Sequence, residues 1–353
     1  MNAHLTALGW GQDFTAQLES AQIERLQSGV LQAVRVAEVH RSQLIAWGEA
    51  GNVEIERQPT DAQIAVAVGD WLLHDAEAQR WQLLTRRSVL ERKAAGEGVG
   101  SQLIAANLDT LFVVTSCNRE FNPARLERYL ALALDGGVEP VLVLTKIDLC
   151  EDPEDYARQA RELRPGQVVE LINSKDPASV QGVRAWCPPG QTAAMVGSSG
   201  VGKSTLATAL GVEGQATGAV REGDDKGRHT TTWRSMHRLP GGGLLIDNPG
   251  VRELQLGECE TGIQALFADV LDHASCKFSD CGHSHEPGCG VLAAVAEGRL
   301  EQRRLDSYRK LLAEQRINAE ALADKRARER TQGKFYKSVQ GSRRRQRRGE
   351  EPQ

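Results

Sequence analysis

Aromatic side chains make up only 5% of the 353 residues. A face of stacked aromatics, one way a barrel grips single-stranded nucleic acid, is therefore not evident. No run of eighteen apolar residues occurs, which leaves no candidate membrane span. The opening MNAHLTALGWGQDF lacks a basic segment followed by an apolar one, so no signal peptide is expected and the cytoplasm is the expected compartment. No repeat with a period of about 20–50 residues is visible, which argues against solenoids and propellers. Net charge is only −4, so the chain as a whole does not advertise a nucleic-acid partner. Its seven cysteines, in a reducing compartment, point to metal binding or packing and away from a disulfide framework. What is present is length for two or three domains and 40% apolar residues to build their cores.

The stretch GSSGVGKST fits a phosphate-binding loop through Gly197, Gly202, Lys203 and Ser204. Glycines let the backbone curl so that the N–H groups of Ser198, Ser199, Gly200 and Val201 face phosphate oxygens. Lys203 is expected on the β- and γ-phosphates, Ser204 on Mg²⁺, and Thr205 on the same turn. TAAMV before the loop reads as a strand and STLATALGV after it as a helix, whose N-terminus favours an anion.

Guanine offers N1–H and a 2-amino group that adenine lacks, so a guanine reader needs a carboxylate at the end of an apolar strand. PVLVLTKIDL supplies one, with Thr145, Lys146, Ile147 and Asp148 in the base-reading pattern. ELINSKD closes a second apolar run and offers Ser174 and Lys175 to the base. Asp247 ends the strand of GGGLLIDNPGV, about fifty residues after the phosphate loop. It can hold Mg²⁺ through water, and Gly250 can offer its N–H to the γ-phosphate. Between the two lies REGDDKGRHTTTWR, where Thr231 is the expected Mg²⁺ ligand and Thr230 and Thr232 are neighbours able to substitute. The base-reading loops thus precede the phosphate loop, the reverse of an ordinary GTPase. The order is circularly permuted, which domains with adjacent surface termini tolerate.

CKFSDCGHSHEPGC carries Cys276, Cys281, His283 and Cys289. Three thiolates and an imidazole close a tetrahedral zinc shell with no open position, so the zinc is expected to be structural. His285 is an alternative to His283 on spacing alone. Cys117, Cys150, Cys187 and Cys259 are expected to pack. Upstream, LQAVRVAEV, QLIAWGE, NVEIERQ, IAVAVGDWLLHD and RWQLLTRRSVLERK read as five strands of a small OB-fold barrel. Downstream, a helical and increasingly basic segment leads to RRRQRR at 343–348, a run suited to an acidic surface or nucleic acid.

TKID, GSSGVGKST, RHTTT, DNPGVRE and the cysteine–histidine spacing together resemble the ribosome small-subunit-dependent GTPase A family of circularly permuted GTPases. The resemblance implies a multidomain α/β chain: a 1–29 extension, an OB-fold barrel at 30–95, the permuted P-loop GTPase domain at 96–257, a zinc-binding helical module at 258–335 and a basic tail at 336–353. It implies a monomer that binds GTP with Mg²⁺ and one structural Zn²⁺. It also implies late maturation of the small ribosomal subunit, contact with its ribosomal RNA, no membrane partner, and slow GTP hydrolysis stimulated by the subunit. Val251 follows Gly250 where Ras-type enzymes have a water-orienting glutamine. The resemblance puts His229 in that catalytic role. Two readings compete with this one. An RNA-binding scaffold with a regulatory or vestigial guanine pocket would show negligible turnover even with subunits. A P-loop kinase would need an acceptor site and a lid, and neither is visible.

Overall fold

Three short helices, α1 (Ala3–Ala7), α2 (Gln12–Thr15) and α3 (Ser20–Gln27), lead into five antiparallel strands. These are β1 (Leu31–Val39), β2 (Gln43–Gly48), β3 (Gly51–Glu56), β4 (Trp71–Asp75) and β5 (Arg80–Leu83), hydrogen-bonded in the order β3-β2-β1-β4-β5. The structure, a computed structural model, describes residues 3–58, 61, 64–93, 101–212, 235–247 and 259–319. The expected roles of His229, Thr231 and Gly250, and the basic tail, fall outside the described residues.

Strand β1 pairs with β4 and β2, and through Glu38 with Ser235 of β12. Leu31 to Arg35 pair with β4, and Arg35 to Val39 pair with β2, with a register shift between Val36 and Glu38. Such a bulge bends a strand, and the bend folds the strands around a core of Val34, Val36, Leu44, Ala46, Ile55 and Leu72. The alternation QLIAWG in β2 turns Leu44 and Ala46 inward.

The last of the five expected strands is two. RWQL forms the end of this sheet, whereas β6 (Val89–Lys93) leaves it to form a hairpin with β7 (Ser101–Ala106). The expected boundary between 95 and 96 falls in the connection of that hairpin. The polar turn TRRS between the two strands carried the only local signal of the change in direction.

Arg35 ties the N-terminal segments together. It is fully buried and donates to the carbonyl oxygens of Leu8, of Gly69 at 3.2 Å and of Asn107 at 2.8 Å. Burial pushes its pKa down to about 10, so the guanidinium stays charged at neutral pH. A buried cation is tolerated only when its donors are satisfied. Gly69, at φ +93°, lets the chain pass so close that a Cβ there would lie 2.1 Å from the Ala106 carbonyl oxygen.

The central sheet contains β8 (Thr110–Ser116), β9 (Glu139–Thr145), β10 (Val169–Leu171), β11 (Thr192–Val196), β12 (Ser235–Arg238) and β13 (Leu244–Asp247). Their order is β10-β9-β8-β11-β13-β12, parallel except for β12. Helices α4 (Pro123–Asp135), α5 (Pro153–Arg161), α6 (Gln181–Ala185) and α7 (Lys203–Leu210) belong to this part of the chain. Both faces are covered, so the strands read as unbroken apolar runs. Leu111, Val113, Leu142 and Leu144 join Leu130 of α4 in one core. Phe112, Val114, Val141 and Val143 join Leu206 and Leu210 of α7 in the other. Asn122 caps α4 by accepting from the Arg125 N–H at 3.1 Å, with Pro123 in the first turn.

The C-terminal part comprises α8 (Glu260–Leu266), α9 (Ala268–Leu271), α10 (Gly290–Ala296) and α11 (302–319). It sits on α4, where Gly262 is required: a Cβ there would lie 2.0 Å from the Ala131 carbonyl oxygen. Arg304 of α11 is buried. It binds Asp269 through two nitrogens at 3.0 and 2.7 Å and donates to the carbonyl oxygens of Leu163 at 2.6 Å and Leu266 at 3.0 Å. Glu127, buried on α4, faces Arg303 at 3.3 Å and Arg304 at 3.7 Å. Burial raises the Glu127 pKa against the pull of those cations and of Ser307.

Candidate nucleotide and metal sites

Parallel register brings the candidate loops to one edge. Val113 pairs with Val196, Ser116 with Thr145, Leu144 with Leu171, and Ala194 with Ile246. The carboxyl ends of β9, β10, β11 and β13 therefore share an edge, the place where open α/β sheets bind ligands. Thr145–Asp148, Ser174–Lys175, Gly197–Thr205 and Asp247 all stand there, although the sequence spreads them over a hundred residues.

The phosphate loop has the backbone its glycines predict. Gly197, Gly200 and Gly202 have φ of +143°, +79° and +103°, and a Cβ on Gly197 would lie 2.1 Å from the Val114 carbonyl oxygen. Side chains are excluded there, leaving backbone N–H groups to line the turn between Ser198 and Val201. Gly202 precedes α7, and Ser204 and Thr205 are exposed on its first turn. The Lys203 ammonium lies 2.7 Å from the Gly197 carbonyl oxygen and 2.6 Å from that of Ser198. These positions fit a polyphosphate with its Mg²⁺.

The base-reading loop is fastened to the phosphate loop. The Thr145 hydroxyl lies 2.5 Å from the Val201 carbonyl oxygen and 3.1 Å from that of Thr115. It has one proton, and the shorter contact takes it. Lys146, in the left-handed region at φ +60°, donates to the Gly200 carbonyl oxygen at 2.7 Å. Ile147–Leu149 form a single 3₁₀ turn that leaves Asp148 exposed at the edge. In the second loop, Asn173 accepts from the Lys175 N–H at 3.0 Å. The Ser174 hydroxyl is buried without a hydrogen-bond partner, which suits a group that meets a ligand. Asp247 ends β13 directly across from Ser235.

The metal candidates converge. The ligand atoms of Cys276, Cys281, His283 and Cys289 all lie within 4.8 Å of one another. Cys276 Sγ is 3.5 Å from His283 Nδ1 and 3.7 Å from Cys289 Sγ, and His283 Nδ1 is 3.4 Å from Cys289 Sγ. Zinc bonded tetrahedrally at about 2.3 Å to sulfur and about 2.0 Å to nitrogen sets these edges at about 3.8 and 3.5 Å. The sulfur separation is far beyond the length of about 2.05 Å for a disulfide. The donor set therefore fits zinc, with His283 as the imidazole. His285 is exposed and bonds to Ser284 at 3.1 Å. Burial holds His283 below its ordinary pKa, which favours the neutral, ligating ring.

Sequence spacing missed what shapes this loop. Glu286 accepts backbone N–H groups from Ser284 at 2.7 Å, His285 at 3.1 Å and Gly282 at 3.0 Å. Those bonds, the Ser284 one foremost, hold its carboxyl down to about 2. Cys289 is also the N-cap of α10, its sulfur accepting from the Leu292 N–H at 3.5 Å. The cysteines expected to pack do so: Cys117, Cys187 and Cys259 are buried and Cys150 half-buried. Burial pushes the first three thiols up to about 12.

The RsgA GTPase family matches residues 83–257. Small ribosomal subunit biogenesis GTPase RsgA 2 of Vibrio parahaemolyticus is 47% identical over 344 residues, covering 96% of this chain and 94% of that one. The crystal structure of YjeQ from Thermotoga maritima superposes with a TM-score of 0.61 at 26% identity, over 80% of this chain and 98% of that one. YloQ, described as a circularly permuted GTPase, gives 0.57 at 25% identity, over 84% and 96%. Motif order, sheet edge and these similarities agree: the chain belongs to the RsgA family of circularly permuted GTPases.

Proposed function

We propose that this chain hydrolyses GTP to GDP and phosphate on the small ribosomal subunit, whose maturation it assists. The observation that carries the reading is the fastening of Thr145 and Lys146 to the phosphate loop. It makes one pocket of a base reader and a phosphate cradle that the permuted sequence keeps apart. The 47% identity to a small-subunit biogenesis GTPase over nearly the whole chain supports the ribosomal role.

Within the pocket Asp148 reads guanine, with Ser174 and Lys175 closing over the base. The backbone from Gly197 to Gly202, with Lys203 and Thr205, holds the phosphates. Ser204 and Asp247 would hold Mg²⁺, with Thr231 as the further ligand, Gly250 beside the γ-phosphate and His229 orienting water. The magnesium would neutralise charge developing on the phosphoryl oxygens. Cys276, Cys281, His283 and Cys289 would hold one structural zinc. We assign the strands from Leu31 to Leu83 to an OB-type barrel, and the barrel, GTPase and zinc parts to separate domains, with ribosomal RNA as their contact surface. Among the described residues no helix is long and apolar enough to cross a membrane. A monomer working in the cytoplasm fits a ribosomal role.

The deciding experiment is GTP hydrolysis by the full chain alone, with small subunits, and with large subunits as control. Stimulation by small subunits only is the expected result. Tight GTP binding with no stimulation by either would overturn the ribosomal part of the reading.

A further inference from the structure

Among the described strands, β12 is the one hydrogen-bonded both to the nucleotide edge and to the barrel. On one side it pairs with β13 through four residues: Ser235 with Asp247, Met236 with Ile246, His237 with Leu245 and Arg238 with Leu244. On the other it meets β1 through one pair, Glu38 with Ser235. Ser235 is the shared member. Asp247, Ser235 and Glu38 therefore form a row across three strands, from the carboxylate placed at magnesium to the barrel. At the far end of β12, the Arg238 guanidinium lies 4.8 Å from the centre of the Trp47 ring on β2.

We infer that this row and the Trp47–Arg238 stack transmit the state of the nucleotide pocket to the barrel. The two sides of β12 differ in strength. Four paired residues make it move with β13, whereas it meets β1 and β2 through one pair and one cation–π contact, a local seam beside the fixed anchorage of Arg35 on Asn107. Just past the β1 bulge Glu38 also pairs with Ile45 of β2, so a shift at the seam is passed on to β2. A shift of Asp247 as its contacts change between GTP and GDP pulls on Ser235, which lies directly opposite. Ser235 in turn sets the distance to Glu38, and the barrel is held more or less closely.

Coupling of this kind is reciprocal: if nucleotide state alters the seam, altering the seam alters the affinity ratio of the two nucleotides by the same factor. The inference rests on the guanine-nucleotide reading of the pocket. Its test measures binding of GDP and of a non-hydrolysable GTP analogue to the full chain, to Arg238→Ala, to Arg238→Lys and to Trp47→Leu. Amide hydrogen exchange over β1 and β2 is recorded with each nucleotide. A cation–π contact of this kind predicts a change in the affinity ratio of about two- to fivefold in Arg238→Ala and Trp47→Leu. Arg238→Lys, which keeps a cation over the ring, should hold the wild-type ratio. Exchange in β1 and β2 should differ between the two nucleotides in the wild type, and that difference should vanish in Arg238→Ala. Tight binding of both nucleotides with identical exchange and an unchanged ratio in every variant would overturn this inference alone. Failure of the wild type to bind either nucleotide would overturn the pocket reading, and this inference with it.

Discussion

The Thr145 hydroxyl meets the Val201 carbonyl oxygen at 2.5 Å, joining two loops that lie 56 residues apart in the chain. Asparagine is commoner at the first position of this base-reading pattern, and threonine lacks its amide. The short side chain still reaches because Gly202 brings the phosphate loop close, with the site of its missing Cβ only 3.4 Å from that hydroxyl. Thr145→Val removes the proton and leaves a buried carbonyl unsatisfied, at a cost of about 1–3 kcal/mol. GTP affinity measured by titration calorimetry should fall about tenfold, and Thr145→Ser should restore it. Equal affinity in all three proteins would show that the contact has no role in binding.

Asp148 is exposed at the sheet edge, where a base can reach it. Asp148→Asn keeps the size and removes the charge that, in the proposed pocket, would accept from the guanine donors. The preference for GTP over ATP should drop about 10- to 100-fold, the worth of a charge-assisted hydrogen bond. Competition binding with both nucleotides measures it, and an unchanged preference would remove Asp148 from the base site.

Metal content separates the two histidines of the zinc loop. Purified protein should carry about one zinc per chain. His283→Ala should lose it and His285→Ala should keep it. The same site governs thiol chemistry. Cys117, Cys187 and Cys259 are buried with pKa values pushed up to about 12, so little thiolate exists at neutral pH. A thiol reagent should modify the native protein slowly until a chelator exposes Cys276, Cys281 and Cys289. Equal rates with and without chelator would show that no metal protects those sulfurs.

Gly262 marks the crossing of α8 over α4. A methyl there meets the Ala131 carbonyl oxygen at 2.0 Å and the Asp135 Cβ at 2.7 Å. Gly262→Ala should destabilise the C-terminal part by about 1–3 kcal/mol, as overpacking does. Urea denaturation followed by limited proteolysis checks this, with earlier cleavage after α8 as the expected outcome.

The phosphate loop and the cysteine–histidine knot were legible because each is local: positive φ demands glycine, and a zinc shell gathers its ligands within one loop. Strand ends were legible for the same reason, since TAAMV and LLID are apolar runs stopped by polar turns. The permutation followed from motif order alone. What sequence did not show depends on distant partners. Nothing around Thr145 announces Val201, nothing around Arg304 announces Asp269, and nothing around Ser235 announces Glu38. The first strand of the β6–β7 hairpin, VLERK, reads as one strand with RWQL because only a short polar turn lies between them.

Arg35 draws its hydrogen bonds from Leu8, Gly69 and Asn107. During synthesis the chain emerges from its N-terminus, and this guanidinium has no complete set of acceptors until residue 107 has appeared. Five strands released earlier would leave the cation without that acceptor. The N-terminal segment, the five strands and the chain up to Asn107 therefore complete the burial of this side chain together. One arginine thus links the burial of the five-strand segment to the chain on either side of it.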